Sequence, residues 1–294
     1  MNSKKRNIFR ICGISALALA VIASAFYAVA YSSDYDLSLR HFIPGSVTAV
    51  VFGVFFIISI AVVSVGAVLI RKSGKLLDKE PNQIETFALW LTTFMFLAFG
   101  VLSFMSPSNT STAQINIGVL ASKLIGPLAI ISAAAFALAA STRLRGTSWH
   151  ALSSCFPILW GSCLLFKYYF DLEDMPLNDP ELALTIVSIS SLIIFFISES
   201  RCALGIATPS VSFFANCLAV CLGGCVSTVR IILSLVTTHN LPSLMENIIF
   251  FTISALAFVR LIVMEFKFTE HDDEANLYTD VPVEINSDTE SEQI

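Results

Sequence analysis

Lys123, Lys167, Arg230 and Glu246 stand inside or at the edges of long apolar runs. A charge in such a run is costly, usually faces the interior of a helix bundle, and marks a pathway or binding site. Lys123 lies about two turns into its run, Lys167 about one turn before its run ends, and Arg230 about two turns before its end. Glu246, with Asn247, opens the next run at the same level. Three cations against one carboxylate at similar depth suit an anionic solute or a lipid headgroup. Mutual pairing is the competing arrangement and the commoner fate of such charges. Lys167 can snorkel to the interface, Arg230 can pair with Glu246, and Asp171, Glu173 and Asp174 can neutralise what remains. Lys123 is the strongest candidate for a pocket, because a kink at the neighbouring Gly126-Pro127 opens space beside it.

A second pair, Glu199 and Arg201, closes an apolar run on the other face. Two residues apart on a helix they do not face one another, so they read as a clamp to neighbouring spans, with Arg143, Arg145 and Arg260 in the same layer. Cys217, Cys221 and Cys225 recur every four residues near Gly223 and Gly224. Thiolates so spaced can hold a soft metal such as Cu(I), but small residues at that spacing are also what close helix packing requires. Gly118, Ser122 and Gly126 repeat the spacing without a thiol, which favours packing, and no cofactor is expected. The chain has no Gly-x-Ser-x-Gly elbow, no His-Glu-x-x-His and no phosphate loop, and its four histidines are scattered. No catalytic residue is therefore expected.

Elements that position these residues must lie in lipid. Apolar residues make up 55% of the 294 positions and charged residues 13%, about half the charged share of a soluble domain. The apolar blocks run approximately over 8–31, 46–70, 86–106, 117–141, 150–170, 181–199, 211–237 and 244–266. Each is near the roughly 20 residues that a helix needs to cross about 30 Å of hydrocarbon. A barrel would alternate in segments of about ten residues, so the expected fold is an all-α bundle of eight transmembrane helices. Prolines fall at block edges or in connections, apart from Pro282 in the tail and Pro127 and Pro157 within spans, where each should kink its helix.

Orientation follows from the positive-inside rule. Thirteen Lys and Arg residues fall on the face carrying the N-terminus, the 71–85, 142–149 and 200–210 connections and the tail, while Arg40 stands alone on the other. Both termini are therefore expected in the cytoplasm. Lys4-Lys5-Arg6, an apolar run and Ala28-Val29-Ala30 also resemble a cleavable signal peptide. The run of about 24 residues exceeds the 7–15 of a signal core, which favours retention as span 1.

Span 1 leads through Tyr31, Asp34 and Asp36 to Pro44, and span 5 leads through Tyr169, Asp171 and Asp174 to Pro180. These parallels allow a parallel four-plus-four repeat, although any two hairpins of similar length share polar loops and prolines. Residues 268–294 hold nine acids and no Lys or Arg, as expected of a disordered tail that can dock a protein partner.

The stretch Tyr168-Tyr169-Phe170-Asp171, Met175-Pro176-Leu177-Asn178-Asp179-Pro180 and Glu199-Ser200-Arg201 resembles the central signature of an uncharacterised family of polytopic bacterial membrane proteins. The resemblance covers about residues 160–201. It implies residence in a bacterial inner membrane, an ordered loop between spans 5 and 6, and a structural role for Glu199 and Arg201, but no activity. Two functions follow as expectations. One is a carrier or binding protein for a small anionic solute or lipid, and the other a non-transporting sensor, scaffold or accessory subunit. Membrane lipid is the expected surrounding partner, and no nucleic acid is expected.

Overall fold

The computed structural model describes residues 3–36, 41–71, 81–105, 117–141, 148–170, 179–237 and 241–279. Eight helical segments are long and apolar enough to cross a membrane: Asn7–Ser33, Val47–Ile70, Gln83–Met105, Leu120–Ala140, Trp149–Phe170, Pro180–Ala203, Pro209–Leu235 and Leu244–Met264. All-helical architecture follows from the medium, since a span must satisfy its own backbone groups where water is absent. Large apolar side chains such as Phe87, Phe94, Val68 and Ile57 stand exposed on the outside, a surface that suits lipid and not water.

Spans 1 to 4 are single helices: α1 (Ser3–Ser33), α2 (Val47–Ile70), α3 (Gln83–Met105) and α4 (Ile117–Ala140). Span 5 is divided into α5 (Ser148–Ser153) and α6 (Phe156–Phe170). The break has a cause in Pro157, which brings no N–H and whose ring collides with the carbonyl four residues earlier, that of Ser153. Pro127, by contrast, lies within an uninterrupted α4. Span 6 is α7 (Pro180–Ala203). Span 7 consists of α8 (Pro209–Leu218), a π-helical turn (Ala219–Gly224) and α9 (Cys225–Thr237). Span 8 belongs to α10, which runs from Leu241 to Thr279 and so passes the boundary at 268 expected for the tail. Residues 280–294 lie outside the described residues, as do the connection at 171–178 and Arg143 and Arg145.

Between spans 1 and 2 a two-residue antiparallel ladder pairs Tyr35 with Phe42 and Asp36 with His41. The chain then turns at Ile43–Ser46, closed by the Ser46 N–H donating to the Ile43 carbonyl. Pro44 occupies the second place, and Gly45, at φ +87°, supplies the left-handed third place of a type II turn. That turn delivers Ser46 as the N-cap of α2, its hydroxyl accepting from the Ala49 N–H.

The helices pack in three groups. α7, the segments of span 7 and α10 form the centre. α1 lies along α2 on one flank, against α8 and α9, while α3, α4 and α6 pack in sequence on the other flank, with α3 along α10 and α6 along α7. On the second flank the core is aromatic: Trp160 meets Phe96 edge-on at 4.8 Å and Phe196 at 6.5 Å. The α3–α4 crossing is close because Gly100 faces Gly126. A Cβ at Gly100 would lie 2.6 Å from Ile130 Cγ1 and 3.1 Å from the Gly126 carbonyl.

Candidate functional site

Two charged layers lie at the ends of α7. Asp179 opens the helix, its carboxylate accepting from the backbone N–H groups of Glu181 (2.8 Å) and Leu182 (3.4 Å). Pro180 at the first helical position needs no N–H partner. Glu181 then sits in the first turn, where the helix dipole favours a carboxylate. Arg230 of α9 reaches it, with Nη2 2.8 Å from Glu181 Oε2 and 2.8 Å from the Glu181 carbonyl. Arg230 Nη1 donates to the Thr185 hydroxyl at 2.8 Å, and Nε to Tyr27 Oη at 3.4 Å. Tyr27, fully buried on α1, donates its own hydroxyl to Glu181. The arginine fork and the carboxylate are thus engaged by three spans.

At the same level Lys167 Nζ of α6 lies 2.8 Å from Glu246 Oε1 of α10, and the neighbouring Tyr168 donates its hydroxyl to the other carboxylate oxygen. The ammonium also stands 5.2 Å from the centroid of the Tyr168 ring, within cation–π range. The Lys167 side chain is 27% exposed and that of Glu246 8%. Above this layer, Tyr35 Oη stands 3.5 Å from Asp179 Oδ1. Burial first, then the Asp179 carboxylate, pushes the Tyr35 phenol above its ordinary value, so it stays protonated and can donate.

Lys123 does not join this layer. It is exposed on α4, roughly half a turn of the helix from the buried Ala121, Ile125 and Ala129, and so projects from the outer face. The neighbouring Gly126 is occupied by close packing, with Ser103 Cβ 3.2 Å from where its own Cβ would be. The structure therefore brings together Lys167 with Glu246, and Arg230 with Glu181. Glu181 and Tyr27 were missed in the sequence, because an acid at the first turn of a span reads as part of the loop and a lone tyrosine as packing.

The second layer lies at the other end of α7. Arg260 of α10 is held between two carboxylates, Glu85 of α3 and Glu199 of α7, the latter at 2.6 Å. Glu85 is 0% exposed. Arg201, the other half of the expected clamp, donates Nη2 to the Ile206 carbonyl at 3.4 Å and so ties the end of α7 to the following turn. Beside Arg260 is a cavity of about 30 Å³ walled by His150, Ser154, Phe196, Glu199, Cys202 and Arg260, room for one or two waters.

The two layers also fix the threading of the chain. Glu85 opens span 3, Glu199 closes span 6 and Arg260 is late in span 8, so all three meet only if successive spans alternate in direction. Tyr27, Lys167, Glu181, Arg230 and Glu246 meet at the other end for the same reason.

Between the layers span 7 leaves α-helical geometry. A π turn misaligns carbonyls from their usual donors and often marks functional sites in helices. Two serines of neighbouring spans take up these groups: Ser254 donates to the Ala219 carbonyl at 2.9 Å and Ser188 to the Leu222 carbonyl at 3.1 Å. Gly223 admits Ser254, since a Cβ there would stand 2.8 Å from Ser254 Oγ. Cys217 and Cys221 are buried against α1 and α2, and Cys221 Sγ is directed to the Ala16 carbonyl at 3.7 Å.

No family model matches the chain, and neither a curated protein nor a solved structure is similar to it. These comparisons identify no family for the resemblance over residues 160–201, and what the chain is shown to be is a polytopic membrane protein with eight candidate spans.

Proposed function

We propose that this protein is a membrane carrier for a small anionic solute, closed in this structure on the side opposite its termini. The observation that carries the reading is the Lys167–Glu246 pair. A partly exposed ammonium is held by a more deeply buried carboxylate of another span, so a solute carboxylate or phosphate arriving from that side competes with Glu246 for the same cation. The second ion pair, Arg230–Glu181, lies in the same layer. The π turn in span 7 supports the reading, because discontinuous spans near the membrane midplane are a recurring feature of carriers. The proposed setting is a bacterial inner membrane, as the resemblance over residues 160–201 implies, with both termini cytoplasmic, which the thirteen-to-one distribution of basic residues supports. No enzymatic step is invoked.

The test is uptake of labelled acetate, succinate and phosphate into proteoliposomes, with thermal stabilisation by the same anions. Lys167→Ala and Arg230→Ala abolish uptake in this account, whereas Glu246→Gln, which removes the competitor, lowers the half-saturating concentration. If no anion is taken up or stabilises the wild type while the variants remain folded, the carrier reading fails.

A second reading rests on α10. At 39 residues this helix is roughly 58 Å long, about twice the hydrocarbon thickness, and its sequence beyond the span is acidic. Such an extension supports docking to a basic protein partner. A copurifying partner that is lost when residues 268–294 are deleted would favour an accessory subunit over a carrier.

A further inference from the structure

A second feature, independent of the ion-pair layers, lies on the outer surface near the terminal side. α1, α8 and α10 leave between them an open groove of about 210 Å³. Its walls are apolar except at one end. Leu17 and Gly13 line it from α1, Phe213 from α8, and Phe258 and Ile262 from α10, while Arg10 stands at the rim. Gly13 exposes the groove floor, since a Cβ built there would meet the Phe213 ring at 3.7 Å with nothing nearer. From Arg10 to Leu17 the groove follows α1 for about 10 Å.

We propose that this groove binds one anionic phospholipid, with an acyl chain lying against Gly13, Leu17 and Phe213 and the headgroup phosphate on Arg10. The groove opens outward on the apolar exterior of the bundle, so the chain that fills it at this depth comes from lipid. Arg10 sits about two turns along α1, whose sequence opens Ser3-Lys4-Lys5-Arg6, near the end of the first candidate span. The guanidinium has five donors and can hold a phosphate alongside an existing interaction. An anionic headgroup is preferred over a zwitterionic one because it brings no cation to be repelled by this basic helix end.

The experiment is thermal unfolding of the full chain in neutral detergent with added phosphatidylglycerol or phosphatidylcholine, together with native mass spectrometry of retained lipid. Phosphatidylglycerol should raise the wild-type Tm by roughly 5 °C more than phosphatidylcholine at saturating lipid and leave one lipid bound. Arg10→Gln should remove that difference while leaving the phosphatidylcholine response in place. Gly13→Leu, which fills the groove, should reduce retention of both. Equal responses to the two lipids in the wild type, or an undiminished phosphatidylglycerol preference in Arg10→Gln, would overturn the proposal. Arg10 is exposed, so its variant decides the matter even if Gly13→Leu does not fold.

Discussion

Glu181 and Glu199 lie on the same face of α7, roughly 27 Å apart along the helix, and each is bound by an arginine from a different span, Arg230 and Arg260 respectively. That separation is close to the thickness of the hydrocarbon core. One rigid helix therefore joins the two polar layers, and Ser188, donating to the π turn of span 7, lies between them.

The Arg260 layer should be the more sensitive to loss of its cation. Arg260→Met leaves Glu85 and Glu199 facing one another in a buried site, and breaking such a pair typically costs about 3–5 kcal/mol. Thermal unfolding in detergent should show Arg260→Met far less stable than Glu199→Gln, which leaves the guanidinium on Glu85.

Tyr27→Phe tests whether span 1 is an integral part of the opposite layer. It removes the hydroxyl donated to Glu181, and leaving a partly buried carboxylate oxygen without that donor costs about 1 kcal/mol. A comparable substitution at Tyr169, whose ring is exposed, should change stability by less than about 0.5 kcal/mol. Equal effects at the two positions would contradict the role given to Tyr27.

Architecture was legible in the sequence because lipid imposes it. Length and apolarity define a span before any tertiary contact exists, and the structure has eight helices long and apolar enough to cross a membrane. The site was legible only in part. Lys167, Arg230 and Glu246 were conspicuous as charges in apolar runs, and Glu199 as an acid near Arg260. Glu181, the partner of Arg230, and Glu85, the second partner of Arg260, were not, because both stand in first turns, where sequence alone does not separate a loop acid from a buried one. The pairing also depends on which helices are neighbours, and Lys123 shows this from the other direction. Its depth matched that of Lys167 and Arg230, but helix rotation turned it outward. The π turn left no trace beyond Gly223-Gly224.

Gly100→Ala and Gly53→Ala should separate packing glycines from tolerant ones. The first places a Cβ 2.6 Å from Ile130 Cγ1, whereas nothing lies within 4 Å of a Cβ at Gly53. Overpacking at Gly100 should cost about 1–3 kcal/mol, while Gly53→Ala should be neutral or stabilising by up to about 1 kcal/mol. Both are read from thermal unfolding midpoints.

Asp34 gives a pH signature outside the spans. Hydrogen bonds from Ser46 first, then Thr48 and Ser33, hold its carboxyl below the ordinary value of 3.8. A depressed folded pKa means that its stabilising contribution is complete above the ordinary value and is lost as pH falls through the lowered one. The difference in Tm between wild type and Asp34→Asn should therefore be constant from pH 7 to 5 and shrink below pH 4. A difference that grows on acidification would contradict this assignment.

In the proposed carrier, the layer opposite the termini is a gate and not a permanent seal. Ser188 lies about 10 Å below Glu181 on α7 and is 1% exposed. With the seven native cysteines replaced, Ser188→Cys can be probed in membranes with an impermeant thiol reagent added from the side opposite the termini. A gate gives slow but complete labelling, accelerated about tenfold, the factor given by about 1.4 kcal/mol of gate destabilisation, when Glu181→Gln and Glu246→Gln are added. A thiol that stays unlabelled in both backgrounds, in protein that remains folded, would contradict it.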